Sequence, residues 1–116
     1  MRIADLNMIQ TKDLNAERRF SDEKMQKVNL FETGRMFADI YCLKPGQEQK
    51  IHTHSGADKI YLVLEGKGRF HIGDQEQDLG VDQIVLAPAD TGHGVRNDSP
   101  DDLVLLVFMA PNPNRA

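Results

Sequence analysis

His52 and His54, in "QKIHTHSG", stand one residue apart in a stretch with the composition of a β-strand. Residues i and i+2 of a strand project from one face, roughly 6.6 Å apart along the chain, so the two imidazoles can converge on one ion while Thr53 turns away. Neutral imidazole ligates first-row divalent metals, and an ion held firmly needs at least a third protein ligand. The chain has two more histidines, His71 and His93. His93 lies between Gly92 and Gly94, small neighbours that leave room for a ring to turn inward, whereas His71 falls inside the strand-like "RFHIG". On spacing alone, a solvated or hydrogen-bonded histidine pair competes with the metal reading. Lys59, Tyr61 and Val63 share the parity of one strand face and so line one cavity.

Such side chains need a frame, and the punctuation of the sequence supplies it. From residue 27 onward, short apolar runs alternate with turn residues: "KVNLFET", "RMFADIYCL", "QKIHTH", "KIYLVLEG", "GRFHIGD", "EQDLG", "DQIVLAP", "GVRN" and "LVLLVFMA". Turn signals at intervals of about 8–12 residues predict an all-β sandwich or barrel. "LVLLVFMA", stopped by Pro111, reads as a strand buried on both faces. The predicted fold is a small antiparallel β-barrel, a jelly roll or double-stranded β-helix. Residues 1–26 read as an N-terminal arm, with "IADLNMI" as an edge strand and "LNAERRFSDEKMQ" as loop with one helical turn. Residues 27–112 read as the barrel domain.

"PGQEQKIHTHSGADKIYLVLEGKG" resembles the first motif of the cupin superfamily: Gly, five residues, His-x-His, three or four residues, Glu, six residues, Gly. Gly46, His52, His54 and Gly66 fit it. "DQIVLAPADTGHGVRN" resembles the second motif through Pro88, His93 and Asn97, with Asp82 and Asp90 where that family usually has glycine. The resemblance implies one divalent metal (Fe, Ni, Co, Cu, Zn or Mn) held inside the barrel by His52, His54 and His93. It implies oxidation or isomerisation of a small organic acid or ketone, as in the three-histidine dioxygenases of the superfamily. A non-catalytic module, metal-free or with weakly bound metal, that binds a small anion through Lys59 and Arg69 is the competing expectation. It also implies a homodimer, since small cupins commonly pair through sheet faces or exchanged strands. The surplus of apolar side chains in "LVLLVFMA" and "RMFADIYCL" points the same way.

The family's glutamate is replaced by Lys59, with Asp58 beside it. Asp58 would reach the metal only if a bulge after Gly56 reversed the strand faces. An ammonium about 5 Å from a dication is repelled by roughly 6–7 kcal/mol at an effective dielectric near 20. Lys59 must therefore swing to the cavity mouth, deprotonate, pair with an anion or leave the metal weakly bound, and a swing to the mouth with an anion partner is the favoured outcome. Tyr61 and Lys59 are the catalytic candidates, Tyr61 with core filling as its alternative. Arg69 and His71 face either the pocket mouth or solvent. Cys42 reads as a small core residue, Asp74, Glu76 and Asp78 as a solvated hairpin face, and "EGKGRF" lacks the strand-loop-helix context of a phosphate loop.

Length and charge narrow the partners. The 116 residues suit one domain, and a net charge of −4 without a basic arm argues against nucleic acid and anionic membrane surfaces. No apolar run approaches the roughly 18 residues of a transmembrane span. The interrupted "MRIADLNMIQTKD" lacks a signal-peptide apolar region, and one cysteine suits a reducing cytoplasm. A small-molecule ligand is the expected partner.

Overall fold

Burial alternates along the short apolar runs, and that alternation assigns one face of each strand to a shared interior. The computed structural model describes residues 8–114. All nine runs predicted as strands are strands: β1 (Gln26–Glu32), β2 (Phe37–Leu43), β3 (Glu48–His52), β4 (Asp58–Glu65), β5 (Lys67–Ile72), β6 (Gln75–Gly80), β7 (Ile84–Ala87), β8 (His93–Arg96) and β9 (Leu103–Ala110). A single helical turn, α1 (Leu14–Glu17), is capped by Asp13, whose side chain accepts the Asn15 N–H. The edge strand expected at "IADLNMI" lies, but for Met8 and Ile9, outside the described residues.

The strands form two antiparallel sheets, ordered β1-β2-β9-β4-β7 and β3-β8-β5-β6. Together they make a double-stranded β-helix. Tyr41, Tyr61, Val63, Phe70, Val95 and Leu105 fill the space between the sheets. Truncating one such aromatic to alanine typically costs about 3–5 kcal/mol. The turn from β4 to β5 requires Gly66: its φ is +81°, and a Cβ there would lie 2.2 Å from the carbonyl oxygen of Asp102.

The reading of "LVLLVFMA" as buried on both faces holds for only part of β9. Leu103, Val104 and Leu105 are buried, whereas Phe108 and Ala110 are exposed. The reason lies in the arm. Leu14 and Phe20 pack on Ile40, Cys42 and Val104 and cover one end of the outer face of the larger sheet. Beyond their reach, Ile84, Leu86 and Phe108 stay in solvent. Cys42 is a buried core residue under that arm.

Candidate metal centre

His52 ends β3 and pairs directly with His93, the first residue of β8. The register between these strands shifts between Gln49 and His52. Residues three apart in an unbroken strand face opposite ways; one extra residue in a bulge turns both inward. The bulge brings β3 close to β8, and Gly94 admits it. A Cβ on Gly94 would lie 2.7 Å from the Gln49 carbonyl oxygen and 3.0 Å from the Ile51 nitrogen. The sequence reading of Gly94 as room for the His93 ring is therefore corrected: the glycine makes room for the neighbouring backbone. Gly94→Ala should cost about 1–3 kcal/mol through overpacking and lower divalent affinity by pushing His52 away from His93. Urea unfolding and metal titration of the same variant check both parts.

His54 lies in the loop after β3. Its carbonyl oxygen accepts the Asp90 N–H at 2.9 Å, and the Asp90 carboxylate accepts the Gly56 N–H at 3.3 Å. Asp82 and Asp90, at the two positions where the resemblance expects glycine, have φ of 70° and 66°. Aspartate is among the few side chains that visit this left-handed region. Asp58 belongs to the same loop tie, its exposed carboxylate accepting the Ala89 N–H at 2.9 Å. Register with β9 runs unbroken from Asp58 to Val63, so no bulge turns Asp58 toward the histidines.

The three rings converge. One ligating nitrogen from each of His52, His54 and His93 lies within 4.8 Å of the others. The His52 ring centroid is 4.3 Å from that of His93 and 4.8 Å from that of His54. Nδ1 of His93 lies 3.0 Å from the Thr91 carbonyl oxygen, and Nδ1 of His52 lies 2.8 Å from that of Lys50. A carbonyl only accepts, so both rings carry hydrogen on Nδ1 and a lone pair on Nε2. Among the described residues, Nε2 of His93 is buried with no hydrogen-bond partner. An orphaned buried acceptor costs about 1–3 kcal/mol, and a cation at the convergence point would satisfy it. The residues fit a divalent metal. Burial, with lesser contributions from Lys59 and the neighbouring imidazoles, pushes His93 down to about 4; burial lowers His52 and His54 as well. All three are thus neutral near pH 7, the form that ligates.

Lys59 departs from its expected position. It is 1% exposed rather than at the mouth, and among the described residues no carboxylate pairs with it. Its Nζ donates to Gln49 Oε1 at 3.2 Å and sits over the rings of Tyr41 and Tyr61, 5.1 and 4.8 Å from their centroids. The same Gln49 oxygen accepts the Tyr61 hydroxyl at 2.8 Å, and Gln49 Nε2 donates to the Tyr41 hydroxyl at 3.3 Å. Lys59 lines a pocket of about 180 Å³ with His52, His54, Lys27, Asp39 and Tyr41. Burial first and the Lys27 charge second lower the Lys59 amine from 10.5 to about 7, with Asp39 opposing. The tyrosine faces return part of the lost solvation, and burial outweighs them.

That shift predicts a pH signature. Between about 7 and 10.5 the unfolded chain binds a proton at residue 59 that the folded chain does not, so stability rises with pH across this window. Below about 7 both states are protonated and the full penalty applies. Lys59→Met should flatten this part of the stability profile relative to the parent, by up to a few kcal/mol between the two ends. Denaturant melts of both proteins from pH 7 to pH 10 measure it; parallel profiles would exclude a buried amine.

Tyr61 is fully buried, its hydroxyl committed to Gln49. Arg69 and His71 lie on the outer face of their sheet, since Phe70 between them is in the core. Arg69 pairs with Asp78 at 3.3 Å and Glu76 at 3.5 Å, and His71 contacts Glu76 at 3.6 Å. The expectation that Arg69 helps Lys59 bind an anion is corrected: the sheet separates it from the pocket. Sequence reasoning missed Gln49, Tyr41, Lys27 and Asp39. The bulge hides the parity of Gln49. Asp39 carried a legible signal, a carboxylate inside the otherwise apolar "FADIYCL" with the parity of Tyr41.

Known proteins share this fold. The family model described as "Cupin domain" matches residues 39–109. A Thermus thermophilus protein, TT1209, is 44% identical, and its crystal structure superposes with a TM-score of 0.86 over 89% of this chain and 98% of its own. An RmlC-like cupin protein from Desulfovibrio desulfuricans is 29% identical, with a TM-score of 0.79 over 90% of this chain and 98% of its own. An oxalate-binding protein of Thermotoga maritima is 27% identical over 85 residues, 73% of this chain and 69% of its own length.

Proposed function

The chain belongs to the cupin family, and we propose on that premise that it holds one divalent metal through His52, His54 and His93 and acts on a small molecule beside it. The observation that carries the reading is the buried, unpartnered Nε2 of His93 facing two further imidazoles. Imidazole ligands suit Fe, Ni, Co, Cu and Zn, so the ligand set does not fix the metal. Three protein ligands leave coordination positions open, and a metal there would supply Lewis acidity or redox chemistry at a bound oxygen. Oxidation or isomerisation of a small organic acid or ketone is the reaction class. Lys59, at the pocket wall, contacts the substrate, and Tyr61 positions Lys59 through their shared bond to Gln49.

Protein purified without chelator should carry close to one ion per chain by elemental analysis. Added Fe(II) with a panel of small acids should then give dioxygen uptake or an isomerised product. A chain that neither retains nor takes up Fe, Ni or Zn at micromolar concentrations would end this reading.

A second reading, non-catalytic capture of a small anion, has its own support. Lys27 and Lys59 both lie against the Tyr41 ring, at 5.4 and 5.1 Å, at the rim and wall of the pocket. A named oxalate-binding relative points to the same ligand class. Oxalate binding by chelator-treated protein, without turnover after metal loading, would favour it.

The remaining partner is a second copy of the chain, with the reducing cytoplasm as the compartment. Ile84, Leu86 and Phe108 lie together on the outer face of β7, β4 and β9, paired across those strands with Ile60 and Leu62. A homodimer that covers this strip should scatter as twice the chain mass at tens of micromolar. Leu86→Lys should shift it toward monomer.

A further inference from the structure

Among the described residues, the hydrogen-bond partner of the Lys59 ammonium or amine is the neutral amide of Gln49, and no carboxylate pairs with it. A lysine so placed is unusual on two counts. Its charge is removed from water between two phenol rings, and a second cation, Lys27, stands over the far ring of the same pair. Desolvation and a neighbouring cation are the two devices that leave a lysine amine free to act as a nucleophile at neutral pH. Lys59, though buried, is also one of the residues that line a cavity of limited size. We propose that Lys59 forms an imine with a small 2-oxo acid bound in this pocket.

The substrate class follows from what lines the cavity. A carbonyl carbon is what an uncharged primary amine attacks. Lys27, exposed at the rim, offers a fixed positive charge for a carboxylate. Asp39 shares that rim, its carboxylate accepting from the Asn29 amide at 2.9 Å, and burial raises its carboxyl above the usual range. The rings of His52 and His54 line the same space. A pocket of about 180 Å³ admits a compound of a few carbons.

The step balances without an added reagent. The Nζ lone pair forms the C–N bond as the carbonyl double bond opens, and one amine proton passes to the oxygen to give a carbinolamine. The second amine proton then leaves with that hydroxyl as water, and the C=N bond remains. The inference deepens the proposed small-molecule site, naming its substrate class, and shares only the pocket with the metal reading.

The test is reductive trapping with pyruvate and sodium borohydride near neutral pH in the presence of chelator, followed by peptide mapping by mass spectrometry. Lys59 should carry the reduced pyruvate adduct at least tenfold more than the exposed Lys50 in the same digest. Lys59→Met should carry none at this peptide, and Lys27→Gln should lower the Lys59 adduct severalfold. If Lys59→Met fails to fold, the comparison with Lys50 in the parent protein still decides. An unmodified Lys59, or one modified no more than Lys50, overturns the imine. A Lys59 adduct indifferent to Lys27→Gln overturns the 2-oxo acid as the class. Trapping in a chain that binds no metal would sink the metal reading alone, and metal binding without trapping would sink this inference alone.

Discussion

His93→Ala should lower divalent-metal affinity by on the order of a thousandfold, more than the ten- to hundredfold that loss of a mere supporting partner costs a metal site. The size follows from the place of His93. Its ring is 1% exposed, and its Nδ1 bond to the Thr91 carbonyl leaves Nε2 with no function but to accept. His52 and His54 are half-buried, and two imidazoles alone make a weak chelate on a strand end. The metal-free variant should nonetheless be only modestly less stable, by about 1–3 kcal/mol. The cavity left by the ring is destabilising, and removal of an orphaned acceptor offsets part of that loss. Added Zn(II) or Ni(II) should raise the Tm of the parent, because a ligand that binds only the folded state stabilises it by mass action. In His93→Ala that rise should vanish. His71→Ala should leave it intact, since His71 sits on the outer face with Glu76. A variant pair with the opposite pattern would mean that the third ligand has been wrongly chosen.

What could be read from the chain beforehand, and what could not, divides along a physical line. The strands were legible because each is a short apolar run bounded by turn residues, and a strand pattern of period two needs no long-range information. His52, His54 and His93 were legible through their spacing and the motifs around them. What the sequence hid was set by contacts between strands. The bulge between Gln49 and His52 exists only as a register against β8, so Gln49, three residues from His52, could not be placed on the same face. Arg69 and Lys59 illustrate a second limit. Strand parity located both correctly as alternating residues, but parity cannot say which face of β5 meets the core; Phe70 decides that. For Lys59 the error was energetic rather than geometric. Repulsion by a metal suggested escape to the mouth, yet the fold instead surrounds the amine with two rings and one amide and shifts it toward the neutral form.

Lys59→Glu should move metal affinity and metal-free stability in opposite directions, and by amounts large enough to separate. The substitution removes an amine that, whenever protonated, repels a dication, and adds a carboxylate, a harder and charged ligand. Divalent affinity should rise at least tenfold, worth about 1.4 kcal/mol. Without metal the new carboxylate would occupy a site that burial and two tyrosine rings make hostile to charge. The Gln49 amide can turn to present Nε2 to it, and the Tyr61 hydroxyl can donate, but an anion facing π surfaces remains poorly placed. The metal-free variant should therefore lose several kcal/mol of stability, and saturating metal should restore most of it. Lys59→Met separates the two contributions. It deletes the amine without supplying a ligand, so its metal affinity should lie between parent and Lys59→Glu, while its metal-free stability should match or exceed that of the parent. Calorimetric titration and chelator-treated thermal melts of the three proteins give the full comparison. Equal metal affinities across the series would place the ion beyond the reach of residue 59, and the three histidines would then have to hold it without any influence from the pocket wall beside them.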